Sequence, residues 1–273
     1  MALVHSQEAQ LDALQRRCAE LEREVEHLRQ KQHTRLTIAT DVHRSLLPAP
    51  VRHDRIWIDV RYVPIEEVGG DYCQVRFPDR AACYVTMCDV MGHGVGAALL
   101  ATRISSEVRY GITYGREPRD IVQSLEHFMG EHFSNTGLFL SFVAARIDLE
   151  RLELTWSGAG HPSPLLIRPE GRETQYLASQ NAVIGLDLPD SEEIYQETIA
   201  LNPGDRLFFF TDGLFEVLNA EERQLGTSGF AEFARSTMGC DLFEVADSVL
   251  KMVHDYQHGP NTDDQTLIVA ELR

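Results

Sequence analysis

The order of elements along this chain predicts an α+β fold, with helices layered on antiparallel sheets and preceded by a long N-terminal helix. Three observations carry that expectation. Residues 8–46 hold an apolar stripe at helical spacing with no Gly or Pro before Pro48. The segments after it come as strands, two helices, more strands and one last helix, which is not a βαβ alternation. Four acidic clusters sit at the edges of strand-like apolar runs, as they do where several strand ends share one cleft.

The first helix rests on Leu11, Leu14, Cys18, Leu21, Val25, Leu28 and Gln32, which alternate in steps of three and four. That is the a/d stripe of a coiled coil. The next seam position is Arg35 and the apolar residue falls one place later, at Leu36, so the stripe slips there as a stutter makes it do. An isolated helix of this length would expose its Leu seam. A parallel homodimer is expected, the alternative being a seam packed back on its own globular part. Pro48 and Pro50 end the helix. The expected organisation is therefore an N-terminal helix over 1–46 and a globular domain over 47–273.

Residues 57–63 alternate apolar and polar, the mark of a half-buried strand. Residues 82–88 are apolar on both faces. Helical spacing returns over 96–110 and 119–133. Strands are expected at 140–147, 152–157, 165–168, 207–210 and 267–272, with a last helix over 241–256.

The composition excludes several classes. Among 273 residues, 43% are apolar and 25% charged, ordinary for a soluble globular protein. The formal net charge is −17, which disfavours non-specific binding to nucleic acid or anionic lipid. No apolar run approaches the ~18 residues of a membrane span. The first residues lack the basic-then-apolar pattern of a secretory signal, so a cytoplasmic location is expected. The five cysteines contain no Cys-x-x-Cys pair, which disfavours zinc and disulfides.

The acidic clusters are Gly69-Gly70-Asp71-Tyr72, Asp89-Val90-Met91-Gly92-His93-Gly94, Thr211-Asp212-Gly213 and Asp263-Asp264-Gln265-Thr266. Each has an ordinary reading: glycine turns at Asp71 and Asp89, a turn aspartate at Asp212, a cap at Asp263-Asp264. Together, each beside a strand, they read as an oxygen-lined site, because converging carboxylates repel unless a cation neutralises them. A metal could take the Asp89 carboxylate and the Val90 carbonyl. An all-oxygen ligand set favours Mg²⁺ or Mn²⁺ over Zn²⁺ or Cu²⁺. Two such ions about 3.5–4 Å apart clamp phosphoryl oxygens and activate water. No Gly-x-x-x-x-Gly-Lys-Ser/Thr occurs, so a P-loop nucleotidase is disfavoured.

Gly-Gly-Asp-Tyr, Asp-Val-x-Gly-His-Gly, Gly-His-Pro-x-Pro (160–164), Thr-Asp-Gly-x-x-Glu (211–216) and Asp-Asp-x-Thr follow one another in that order. The set resembles the PPM-type metal-dependent serine/threonine phosphatases, in the SpoIIE-like or RsbU-like bacterial branch, over about residues 45–273. The resemblance implies an α-β-β-α sandwich with two Mn²⁺ or Mg²⁺ ions at one end of the paired sheets. It makes Asp89 the carboxylate bridging both metals and Val90 a carbonyl ligand. Asp212 and the pair Asp263-Asp264 become ligands of the other metal. Asp263 is favoured as the direct one, since Asp264 matches a supporting asparagine of eukaryotic relatives. Asp71 would bind through metal-held water. The further acid common after Gly-Gly-Asp-Tyr-Tyr is absent, the run here being Tyr72-Cys73-Gln74. Asp71, Asp89, Asp212 and Asp263 are the expected catalytic set. His93 and His161 could contact phosphate or simply hold their loops, and Arg61 and Arg103 are conceivable phosphate contacts.

The implied activity is hydrolysis of phosphoserine or phosphothreonine on a partner protein. By the resemblance that partner is a phosphorylated STAS-domain protein, an anti-sigma factor antagonist in a partner-switching pathway. The coiled coil would dimerise the enzyme and relay a signal from an upstream sensor or activator, through helices that include residues 96–110. The rival readings are a phosphatase-like scaffold of weak activity and a metal-dependent phosphodiesterase on small molecules.

Overall fold

The computed structural model describes residues 14–27, 40–169, 174–186 and 193–273. The chain divides into two compact units, Met1–Val42 and His43–Arg273. In the first, residues 14–27 are helical and exposed throughout. Leu14, Leu21 and Val25 are 64%, 44% and 46% exposed, so the seam has no partner within this helix. The seam residues Leu11, Leu28 and Gln32 and the slip at Leu36 lie outside the described residues.

The second unit holds eleven strands among its described residues, β1 (Val51–Arg52), β2 (Ile56–Val63), β3 (Asp71–Arg76), β4 (Ala82–Val90), β5 (Leu140–Asp148), β6 (Glu153–Ala159), β7 (Leu165–Ile167), β8 (Thr174–Tyr176), β9 (Glu197–Ala200), β10 (Arg206–Phe210) and β11 (Gln265–Leu272). Its four long helices are α1 (Val95–Thr113), α2 (Pro118–Phe133), α3 (Gly226–Ser236) and α4 (Leu242–Tyr256). One sheet runs β1-β2-β11-β10-β7-β8 and the other β3-β4-β5-β6-β9. Every pairing is antiparallel.

Strand alternation builds the layers. Cys73, Val85, Met87, Val143, Ala145, Phe209, Ile268 and Ala270 come from both sheets and share one buried cluster. Their neighbours one residue away point outward. Tyr72, Tyr84, Cys88, Val90 and Phe142 pack with Leu100, Ile104, Val122 and Leu125 of α1 and α2. Phe208, Phe210, Leu267 and Val269 pack with Phe230, Val245 and Val249 of α3 and α4. The result is the α-β-β-α sandwich. Leu46 packs into the α1/α2 cluster and Leu47 beside the inter-sheet cluster.

Besides the short strands β1 and β8, three elements go beyond the sequence reading. β3 opens on a charged residue and is made a strand by its pairing with β4. α3 begins Gly-Thr-Ser-Gly, poor helix formers, and is held by the burial of Phe230, Ala231 and Ala234. β9 lies on the edge of its sheet with three of its four residues exposed, so no apolar alternation marks it. The helix expected from 241 begins at Leu242, with Asp241 as its cap accepting from the Phe243 N–H.

Candidate metal centre

The parity that makes the inter-sheet core also aims the site. Asp71 has the parity of Cys73, and Asp89 that of Met87, so both carboxylates are on the inner face of their sheet, at the end of the strands. They stand directly opposite each other across β3 and β4, and Ser141 stands opposite Asp89 across β4 and β5. From the other sheet, Thr211 follows β10 with the parity of Phe209, and Thr266 has that of Ile268. The apolar inner layer therefore gives way at one end to a polar one built from both sheets.

Asp71 is 2% exposed. Its Oδ2 accepts the Thr211 hydroxyl at 2.8 Å and the Thr266 hydroxyl at 2.5 Å. Burial, then the neighbouring Asp89, raise its pKa well above the usual carboxylate range, and the two hydroxyls work against that rise. Asp264, also 2% exposed, spends both oxygens on backbone: Oδ1 accepts from Ile65 N–H at 2.8 Å and Oδ2 from Asp71 N–H at 3.4 Å. It thereby clasps the loop that leads into β3. The clasp explains Gly69, where a Cβ would stand 1.7 Å from Asp264 Oδ2. Gly70 is needed for a similar reason, since a Cβ there would stand 2.6 Å from the Val90 carbonyl oxygen.

Asp89, Asp212 and Asp263 lie within electrostatic reach of one another. Burial, then Asp212 and Asp263, push Asp89 up to about 7. Burial, then Asp263 and Glu216, push Asp212 up to about 6. Burial raises Asp263, while the Asp264 backbone N–H that its Oδ1 accepts at 2.8 Å works against the rise. Asp89 and Asp212 line an open cleft of about 450 Å³ together with Glu216, Met91, Ser141 and His161. Among the described residues no three Asp, Glu, His or Cys side chains close into a cage. Carboxylates that raise one another's pKa, beside a glycine-lined carbonyl, are a donor set that suits a hard divalent cation.

Glu216 was legible in Thr-Asp-Gly-x-x-Glu but carried no role in the sequence reading. A one-turn 3₁₀ helix at Asp212–Leu214 brings it back beside Asp212, whose carbonyl accepts the Glu216 N–H at 2.9 Å. Ser141 gave no sequence signal, because only its register with Asp89 brings it there. Its hydroxyl meets Nδ1 of the buried His161 at 2.7 Å, and burial pushes that imidazole down to about 3, so it is neutral. His93 is exposed and meets Glu66 at 2.9 Å. The two arginines are engaged elsewhere. Arg61 clamps Asp247 of α4 and Asp59, and Arg103 pairs with Glu107 and lies over Phe128.

The family model described as Stage II sporulation protein E matches residues 79–273. The chain belongs to the SpoIIE family. Asp89, Asp212 and Asp263 fall within the matched residues, and Asp71 lies just before them. Two curated relatives from Bacillus subtilis (strain 168) are named phosphoserine phosphatases. RsbP is 23% identical over 254 residues, covering 87% of this chain, and RsbU is 23% identical over 251 residues, covering 90% of it. The chain spans 58% of the length of RsbP and 72% of that of RsbU. The solved SiaA-PP2C domain of Pseudomonas aeruginosa shares the fold, with a TM-score of 0.79 at 23% identity over 90% of this chain and 98% of that one. The globular unit thus carries a SpoIIE-family domain with the fold of the SiaA-PP2C domain.

The raised carboxyl pKa values have a sign that can be measured. In the metal-free fold Asp89 and Asp212 keep protons that the unfolded chain, titrating near 3.8, has released. The fold therefore binds more protons than the unfolded chain between about pH 4 and 7, and its stability falls as pH rises through that window. Thermal unfolding in chelator should show a lower Tm at about pH 8 than at about pH 5, and Asp89→Asn should shrink the difference. A difference equally large in Asp89→Asn would contradict this electrostatic picture.

Proposed function

We propose that this chain is a metal-dependent phosphatase that removes phosphate from serine or threonine of a partner protein. The observation that carries the reading is the gathering of carboxylates from both sheets, Asp71 and Asp89 from one and Asp212 and Asp263 from the other, within electrostatic reach of Asp89 and beside the cleft that Asp89 and Asp212 line. In this reading Asp89, Asp212 and Asp263 hold two Mg²⁺ or Mn²⁺ ions, with the Val90 carbonyl as a further donor and Asp71 acting through bound water. Asp264 supports the set by clasping the loop before β3. Bound there, the ions would supply Lewis-acid charge for the phosphoryl oxygens and lower the pKa of the attacking water. Asp89 and Asp212, which hold their protons more tightly than ordinary carboxyls in the metal-free fold, would give up those protons to bind cations. Ser141 meets His161, but burial pushes that imidazole down to about 3 and its Nε2 has no hydrogen-bond partner among the described residues, so it is a weak base with no orienting group to make Ser141 a nucleophile.

RsbP and RsbU, both named phosphoserine phosphatases, support phosphoserine as the substrate. By the same resemblance, the substrate protein is a phosphorylated STAS-domain antagonist of an anti-sigma factor, within a partner-switching pathway. The N-terminal helix, residues 1–46, pairs with a second copy along the seam that residues 14–27 expose, and takes the signal of an upstream activator. The phosphatase domain occupies residues 47–273.

Two experiments test the reading. Activity on an aryl phosphate and on a phosphorylated STAS protein should vanish in chelator and return with Mn²⁺ or Mg²⁺. Asp89→Asn and Asp212→Asn should each lose several orders of magnitude in rate while keeping their circular dichroism spectrum. Full activity in chelator, or near wild-type turnover in either variant, would refute it; cleavage of a dinucleotide in preference to the phosphoprotein would favour a phosphodiesterase. For the helix, light scattering should give a dimer, and Leu21→Asp with Leu28→Asp a monomer, because the pair puts charge in the seam. A monomeric wild type would rule out the coiled coil.

A further inference from the structure

Two of the sequence motifs contain a threonine that the metal reading does not use, Thr211 beside Asp212 and Thr266 three residues after Asp263. Both are fully buried, and both donate to the same atom, Oδ2 of Asp71. Their hydroxyls have little freedom to do otherwise. Thr211 Oγ1 accepts the Thr266 N–H at 3.0 Å, which leaves its proton for the Asp71 oxygen 2.8 Å away. Its other acceptor, the Asp264 carbonyl, is at 3.5 Å and weaker. Thr266 thus fixes Asp71 twice, by its own hydroxyl and by orienting that of Thr211. Hydrogen bonds linked in this way polarise one another.

The two threonines sit on the sheet that carries Asp212 and Asp263, and Asp71 sits on the other, opposite Asp89. Each motif therefore sets one aspartate within electrostatic reach of Asp89 and sends one threonine across the sandwich. With Oδ2 held by both hydroxyls, Oδ1 is the oxygen of Asp71 that they leave free.

We propose that Thr211 and Thr266 are positioning residues of the metal centre: they fix the Asp71 carboxylate across the two sheets so that one defined oxygen serves the bound ions. The inference rests on the metal-centre reading. Hydrogen-bond partners of metal-binding carboxylates are worth about 10–100-fold in metal affinity when removed.

The test is Mn²⁺ binding to the full chain by isothermal titration calorimetry, with Tm in chelator measured alongside. Thr266→Val, which keeps the shape and loses the hydroxyl, should weaken Mn²⁺ binding by about 10–100-fold, and Thr266→Ser should restore it. In an Asp71→Asn background the same Thr266→Val change should cost little further affinity, because the carboxylate it positions is gone. Thr211→Val and Thr211→Ser repeat the pair should Thr266→Val fold poorly. A folded Thr266→Val or Thr211→Val that binds Mn²⁺ as the wild type does, even with a lower Tm, would overturn the proposal and leave a purely structural role. So would an equal loss in the Asp71→Asn background. A wild type that binds no Mn²⁺ would instead overturn the metal-centre reading, and the proposal with it.

Discussion

One buried carboxylate ties the two halves of this site together. Asp71 lies between the sheets, with two hydroxyls from one sheet on Oδ2 and its own strand in the other. A lone carboxylate at that depth is costly, and Asp89 directly opposite makes it costlier. The threonines offset part of that cost. In doing so they fix how the strand ends bearing Asp71 and Asp89 stand against those bearing Asp212 and Asp263. A sandwich held only by its apolar inner layer would leave this end free to slide. The polar contact sets a register for the donors.

The remaining local features follow from that requirement. The loop before β3 has to bring Asp71 in at the right height, and Asp264 clasps it by two backbone N–H groups. The clasp leaves no room for a side chain at 69. The Val90 carbonyl leaves none at 70. Gly-Gly-Asp is therefore a packing solution around one carboxylate and one carbonyl. Asp263 and Asp264, adjacent in sequence, divide the work. The Asp263 carboxylate is exposed, and that of Asp264 is buried in backbone contacts. Burial, reinforced by neighbouring carboxylates, raises Asp89 and Asp212, the cost of gathering acidic groups without a counter-charge.

Much of this was legible in the sequence. The motifs marked strand ends, and period-2 alternation puts Asp71, Asp89, Thr211 and Thr266 on inner faces once the strands are known. The composition of the donors, all oxygen, already named the class of metal. Other parts were not legible, for physical reasons. Ser141 reaches the site only through strand register, which no local pattern encodes. Glu216 depends on a one-turn 3₁₀ helix. Arg61 looked available for phosphate because its binding to Asp247 spans 186 residues of sequence. α3 was missed because tertiary burial overrides its poor local propensity, and β9 because an exposed edge strand shows no apolar face.

The central claim is that carboxylates from both sheets surround one divalent-metal centre, with Asp89 shared between the ions. Crystals of the protein grown with Mn²⁺ and measured for anomalous scattering test it most directly. The account predicts two peaks in the cleft, both within coordination distance of the Asp89 carboxylate, with Asp212 and Asp263 on one of them and Asp264 on neither. Anomalous density elsewhere on the molecule, or a single ion held by one sheet alone, would contradict it.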